Sequence, residues 1–216
     1  VREEIFSGVA EPGTLLAEAA VARRLGVSRV PVREALFTLE REGLVEFSLT
    51  GRAFVKELTK DDFEELFVLR LALEPLAARL AAPVLAENVA ELEENVAATA
   101  RAKSVAEVTR HDLEFHGLIL AATGHSRLLR LWLSLRSELE CWLGRLHRQH
   151  TSQRLDTRDE TVRAHREIID AFQAGSPAAC ERLMRRPIQG WRERSPAMRE
   201  RAASSGVRQS TPTTSA

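Results

Sequence analysis

Asp112 and His116 stand one helical turn apart in HDLEFHGLILAAT, and Ile119, Leu120 and Thr123 continue the same face. A carboxylate and an imidazole therefore point where apolar side chains point. His165 is followed at helical spacing by Ile168, Ile169 and Phe172, so it too faces a core. Arg70 and Glu74 extend the stripe of Phe63, Leu66 and Phe67. Burying such groups unpaired is costly, so they need one another or a ligand. Two readings are open. One is a metal centre, with Asp112, His116 and His165 offering oxygen and nitrogen donors suited to Zn, Ni or Mn. The other is a satisfied core network in which Asp112 orients a histidine. Arg70 likewise is either a guanidinium fork for the carboxylate of a small effector or the i, i+4 partner of Glu74.

A second set lies in GVSRVPVREALFTLEREGLV, residues 26 to 45, where Ser28, Arg29 and Arg33 crowd the start of a short helix. A hydroxyl, free backbone N–H groups and guanidinium forks at a helix N-terminus suit phosphates and guanine edges. The plainer alternative is a pair of surface salt bridges.

The elements that must position these groups are mostly helical. Tyrosine is absent, and alternating β-branched runs are nearly so. An Ala-rich helix is expected from Thr14 or Leu15 to Leu25-Gly26. The next is capped by Ser28, carries Pro31 in its first turn and ends at Gly43. Val45, Phe47 and Leu49 alternate with polar residues, Thr50-Gly51-Arg52 can turn, and Ala53-Phe54-Val55 returns, which predicts a small hairpin. Beyond Leu58 the chain reads as about six helices. The first opens on a capping box at Thr59 and Asp62 and runs to Pro83; the second spans about 84–103. The third opens at Ser104 with Glu107 and stops near Gly124, and the fourth reaches about Thr151. The fifth spans about 157–174, and Gly175-Ser176-Pro177 opens the sixth. Trp132, Trp142 and the Leu-rich face of the fourth helix are expected to pack a core or a dimer contact rather than line a ligand box. The fold class is thus mostly α: an N-terminal winged helix-turn-helix over 1–57, an all-α helical bundle over 58–194, and a disordered Ser/Thr/Arg-rich tail over 195–216.

Bulk properties narrow the function. The chain has 216 residues, 44% hydrophobic and 29% charged, with zero formal net charge, an ordinary globular balance. Residues 1–57 are not basic overall, so any affinity for DNA must come from clustering. Arg23, Arg24, Arg29 and Arg33 provide it, with no acid among them until Glu34. No run approaches the roughly 18 apolar residues of a membrane span, and two cysteines are too few for a disulfide framework, so a cytoplasmic location is expected. The chain opens on Val1 rather than Met, which predicts a natural start upstream.

The stretch IFSGVAEPGTLLAEAAVARRLGVSRVPVREALFTLEREGLV resembles the DNA-binding head of GntR-family transcription regulators, most specifically in its LGVSR-PVREAL block. The resemblance implies DNA contacts at Ser28, Arg29, Val30 and Arg33, with the recognition helix in the major groove. The family often carries Arg-Glu-Leu where Ala19-Ala20-Val21 stand, so one contacting arginine is missing. Its wing usually reads Arg-Gly-Ala-x-Val; here it is Gly51-Arg52-Ala53-Phe54-Val55, and Arg52 is the wing's candidate contact. The segments DDFEELFVLRLALEPLAARLAA, HDLEFHGLILAATGHSRLL and HREIIDAFQAGSPAACERLM resemble the FCD effector domain of one GntR subgroup, over about 60–191. Three of that domain's four usual metal ligands map onto Asp112, His116 and His165. The fourth falls on Pro187, which cannot ligate. Cys180 lies about two turns earlier, roughly 10 Å along the axis, and His125 is a conceivable stand-in.

These readings imply a homodimeric regulator that binds double-stranded operator DNA and answers to a small organic acid, with one divalent metal as the expected cofactor. Two rivals remain. One is a metal-free regulator whose helical domain only dimerises. The other is a small metallohydrolase, against which stand the winged head and the lack of a separate general base or nucleophile.

Overall fold

In the computed structural model, residues 1–152 and 157–194 are described. The order is α1 (Arg2–Ser7), α2 (Glu18–Leu25), α3 (Arg29–Arg41), β1 (Val45–Phe47), β2 (Ala53–Val55), α4 (Lys60–Leu85), α5 (Ala90–Arg101), α6 (Val105–Ala122), α7 (Ser126–Ser152), α8 (Thr157–Gln173) and α9 (Pro177–Arg194). The winged helix-turn-helix and the six-helix bundle behind it are both present. Residues 195–216, expected as a tail, lie outside the described residues.

The head closes on its own core, in which Ile5, Leu16, Val21, Val32, Leu36, Leu39, Leu44, Val45 and Val55 are buried together. Three features differ from expectation. A six-residue helix, α1, precedes the rest; it ends on Gly8 in the left-handed conformation, φ 80. The next helix starts at Glu18 rather than Thr14, because Thr14–Leu16 join the wing. Val55 N donates to Thr14 O at 3.0 Å and Leu16 N to Ala53 O at 2.8 Å. The wing pairs Val45 with Val55 and Phe47 with Ala53, and the turn between the strands carries Gly51 at φ 75. Leu49, expected to extend the alternation, sits in that turn fully exposed.

Behind the head, Thr59 closes the expected capping box: Asp62 N donates to its hydroxyl, and its own N–H donates to Asp62 Oδ2 at 2.7 Å. α4 then runs past both Pro75 and Pro83 to Leu85. A proline inside a helix costs about 3 kcal/mol. The fully buried Ala77, Ala78, Ala81 and Ala82 hold this stretch against the bundle core and against α9, so tertiary packing overrides the local stop. α5 accordingly begins at Ala90, whose N–H donates to Asn88 Oδ1. Ser104 caps α6 as expected, its hydroxyl accepting from Glu107 N.

Candidate functional site

The head presents its cluster at the α3 N-terminus. Ser28 holds the N-cap position, yet its hydroxyl makes no bond to the helix and faces outward. Arg29 Nη2 lies 3.1 Å from Glu18 Oε2 and Arg33 Nε 3.3 Å from Glu18 Oε1. A single carboxylate on α2 thus lines up both guanidinia, which stay 69% and 59% exposed. Glu18 opens α2, and its role is not legible from the spacing of Ser28, Arg29 and Arg33. Such exposed pairs are worth at most about 1 kcal/mol, so a phosphate can displace the carboxylate. Val30 is 66% exposed beside them, and Arg52 is exposed just before β2.

The second site is sealed inside the bundle. Asp112 and His116 from α6 and His165 from α8 are all buried, and one donor atom from each lies within 4.8 Å of the others. Asp112 Oδ1 is 3.2 Å from His165 Nε2 and 3.9 Å from His116 Nε2. Phe115 stacks flat on the His165 ring at 3.8 Å between centroids and fixes its plane. Arg70 forks onto Glu74, Nε at 2.8 Å and Nη2 at 3.1 Å, so the i, i+4 pair is formed. Glu74 is fully buried and also accepts from Trp132 Nε1 at 2.8 Å. Its Oε2 lies 2.8 Å from His116 Nδ1. A carboxylate behind a histidine holds the ring so that its other nitrogen faces the site. Arg70 Nη2 reaches that nitrogen, Nε2, at 3.5 Å.

Burial pushes the Asp112 carboxyl up. The hydrogen bond from His165 and the charges of His116, His165 and Arg70 outweigh it and hold it well below the usual range. Burial opposes ionisation of Glu74 too, but Arg70 and His116 bring it down to about 2. Burial lowers His165 despite its bond to Asp112.

Sequence reasoning missed two further buried imidazoles, His147 and His150, set among arginines and leucines on α7. The Thr109 hydroxyl lies 2.9 Å from Val105 O and 2.7 Å from His147 Nδ1, tying that imidazole to α6. Burial lowers His147 to about 4. Of the other suggested ligands, His125 is exposed and Cys180 is packed in the apolar core, so neither joins the cluster. Pro187 lies within α9, partly exposed.

Residues 1–55 match the family described as bacterial regulatory proteins, gntR family, and residues 65–190 match the FCD domain. The chain belongs to the GntR family and carries an FCD domain. Among curated GntR relatives it is 31% identical to the probable D-xylose utilization operon transcriptional repressor of Paenarthrobacter nicotinovorans, over 84% of this chain and 79% of that protein. It is 27% identical to the gluconate operon transcriptional repressor of Bacillus licheniformis, over 80% of this chain and 72% of that one. The structure of E. coli McbR/YncC shares the fold with a TM-score of 0.70 and 21% identity, covering 88% of this chain and 90% of that one. GntR regulators bind operator DNA, and relatives named as repressors make this chain a regulator of transcription rather than an enzyme. Among the described residues no helix is long and apolar enough to cross a membrane.

Proposed function

We propose that this GntR regulator works as a cytoplasmic homodimer whose grip on its operator is set by a small carboxylate held over a divalent metal in the FCD domain. The donor cluster carries the reading. Asp112, His116 and His165 are all buried, and one donor atom from each lies within 4.8 Å of the others. Buried polar groups of that kind are costly unless paired. A divalent cation there would use all three donors, and its charge would attract a small carboxylate. The donor set of one carboxylate and two imidazoles fits Zn, Ni or Mn. When bound, the metal would supply a Lewis-acidic point for the effector's carboxylate. Arg70, locked on Glu74, then acts as a fixed positive neighbour rather than a free clamp. The gluconate operon repressor is named for a polyhydroxy carboxylate, an anion of the class proposed here.

At the head, Ser28, Arg29, Val30, Arg33 and Arg52 make the operator contacts. Arginine forks suit guanine, and the exposed Val30 suits a thymine methyl. In a dimer each contact counts twice.

Elemental analysis of protein purified without chelator tests the reading, followed by operator titrations with gluconate. Near one metal per chain, lost in Asp112→Asn, with operator affinity answering to gluconate only in the loaded protein, is the expected result. Failure to take up Zn, Ni or Mn would overturn it. Pro187 in place of a fourth ligand favours the second reading, in which the bundle is metal-free and only dimerises.

A further inference from the structure

The head does not merely precede the bundle; it leans on α7. Arg148 Nη1 donates to Phe6 O at 2.9 Å, and its guanidinium lies against Gly8, where an added Cβ would come within 3.2 Å of it. Ser137 and Glu138 of α7 meet Glu42 and Gly43 of the head. Between these contacts lies a cleft of about 410 Å³, walled by Ile5, Val55 and Lys56 on one side and by Trp142, Arg145 and Arg148 on the other. That volume is within the roughly 300–1,000 Å³ of small-molecule sites.

Its α7 wall is chemically unfinished. Trp142, Arg145 and Arg148 recur every third residue and so share one face. Trp142 is 7% exposed and its ring edge packs on Phe63, yet its indole N–H has no acceptor among the described residues. A buried donor without an acceptor is costly and is rare in folded proteins. Arg145 is exposed and makes no hydrogen bond or ion pair among the described residues. Lys56 meets only distant acids, Asp62 at 3.9 Å and Glu138 at 4.0 Å. Glu11 and Glu57 also line the cleft, but neither Arg145 nor Arg148 forms an ion pair among the described residues.

We propose that this cleft is a binding site for a small organic anion, separate from the Asp112 cluster. A carboxylate or phosphate head sits between Arg145 and Arg148 and accepts from the Trp142 indole, and an apolar body lies against Ile5 and Val55. Because its walls come from both domains, an occupant ties the head to one placement on α7.

Calorimetric titration of the full chain with phenyl phosphate and with phenylacetate, in the presence of chelator, tests this and distinguishes the two anionic heads. One of them should bind at one site per chain. Arg145→Gln and Trp142→Phe should each weaken it roughly tenfold or more, the size of a lost hydrogen bond to a charged group. Trp142→Phe keeps a ring on Phe63, and Arg145 is exposed, so both variants should melt near the parent. No binding of either probe, or equal binding to parent and both variants, overturns the proposal.

Discussion

Glu74→Gln is the sharpest test of the buried network. The substitution keeps the shape and removes the charge that Arg70, His116 and Trp132 all face. The amide can accept from one of these donors, but its NH2 then points at another, and the guanidinium is left buried without a counter-charge. Breaking a buried pair in this way costs about 3–5 kcal/mol. The titration argument gives a similar size. A carboxyl lowered from 4.5 to about 2 stabilises the fold by about 3 kcal/mol at neutral pH. At about 2–4 °C per kcal/mol for a chain of this size, Tm should fall by about 6–20 °C. Thermal unfolding followed by circular dichroism at pH 7.5 measures it. The sign with pH is also fixed: a lowered carboxyl stabilises above its unfolded value of 4.5 and loses that stability as pH falls towards 2. The parent should therefore converge on the variant in acid. Arg70→Met with Glu74→Leu should recover part of the loss, since a well-packed apolar pair avoids the desolvation. A Glu74→Gln protein that melts within about 2 °C of the parent would refute the reasoning.

Other expectations follow from the same geometry. His147 has its folded value lowered from 6.5 to about 4, so the unfolded chain takes the proton first and stability falls with pH from 6.5 towards 4. Urea unfolding at pH 7.5 and 5 should show about 2 kcal/mol of this loss, absent in His147→Gln. If Asp112, His116 and His165 hold a metal, 100-fold excess over Kd stabilises by about 2.7 kcal/mol. Chelation should then lower Tm in the parent and leave His165→Ala unmoved, which calorimetric melting would show. Arg33→Ala should reduce the salt slope of operator binding by about one for each head, read by fluorescence anisotropy at several salt concentrations. Glu18→Gln removes the carboxylate that competes with phosphate for Arg29 and Arg33, so its operator affinity should rise; a weaker complex would show that Glu18 positions the arginines instead.

Local chemistry explains what the sequence made legible. Thr59 with Asp62 and Ser104 with Glu107 are caps whose partners lie three residues away, and both formed. Asp112, His116 and His165 were legible because each is polar on an apolar stripe. What escaped notice depended on distant partners. α1 has six residues and one buried side chain, too little for a period to show. Thr14–Leu16 look helical until β2 arrives to pair with them. Pro83 stops a helix locally, but four buried alanines on α4 hold it in place. His147 and His150 lie in RLHRQH, where flanking arginine and glutamine disguise the buried face of α7. Glu18 acquired its role only when α2 packed against α3.

One helix, finally, joins the buried network to the head. α7 is 27 residues long; it meets Glu74 through Trp132 and holds the head through Arg148. Sixteen residues separate those two points, about 24 Å of rigid rod. A tilt of about 5° at the Trp132 end carries the Arg148 end about 2 Å, by the arithmetic of that length. That is enough to break the 2.9 Å bond to Phe6 O. A tilt of α7 about its Trp132 end would therefore be felt at the base of the head.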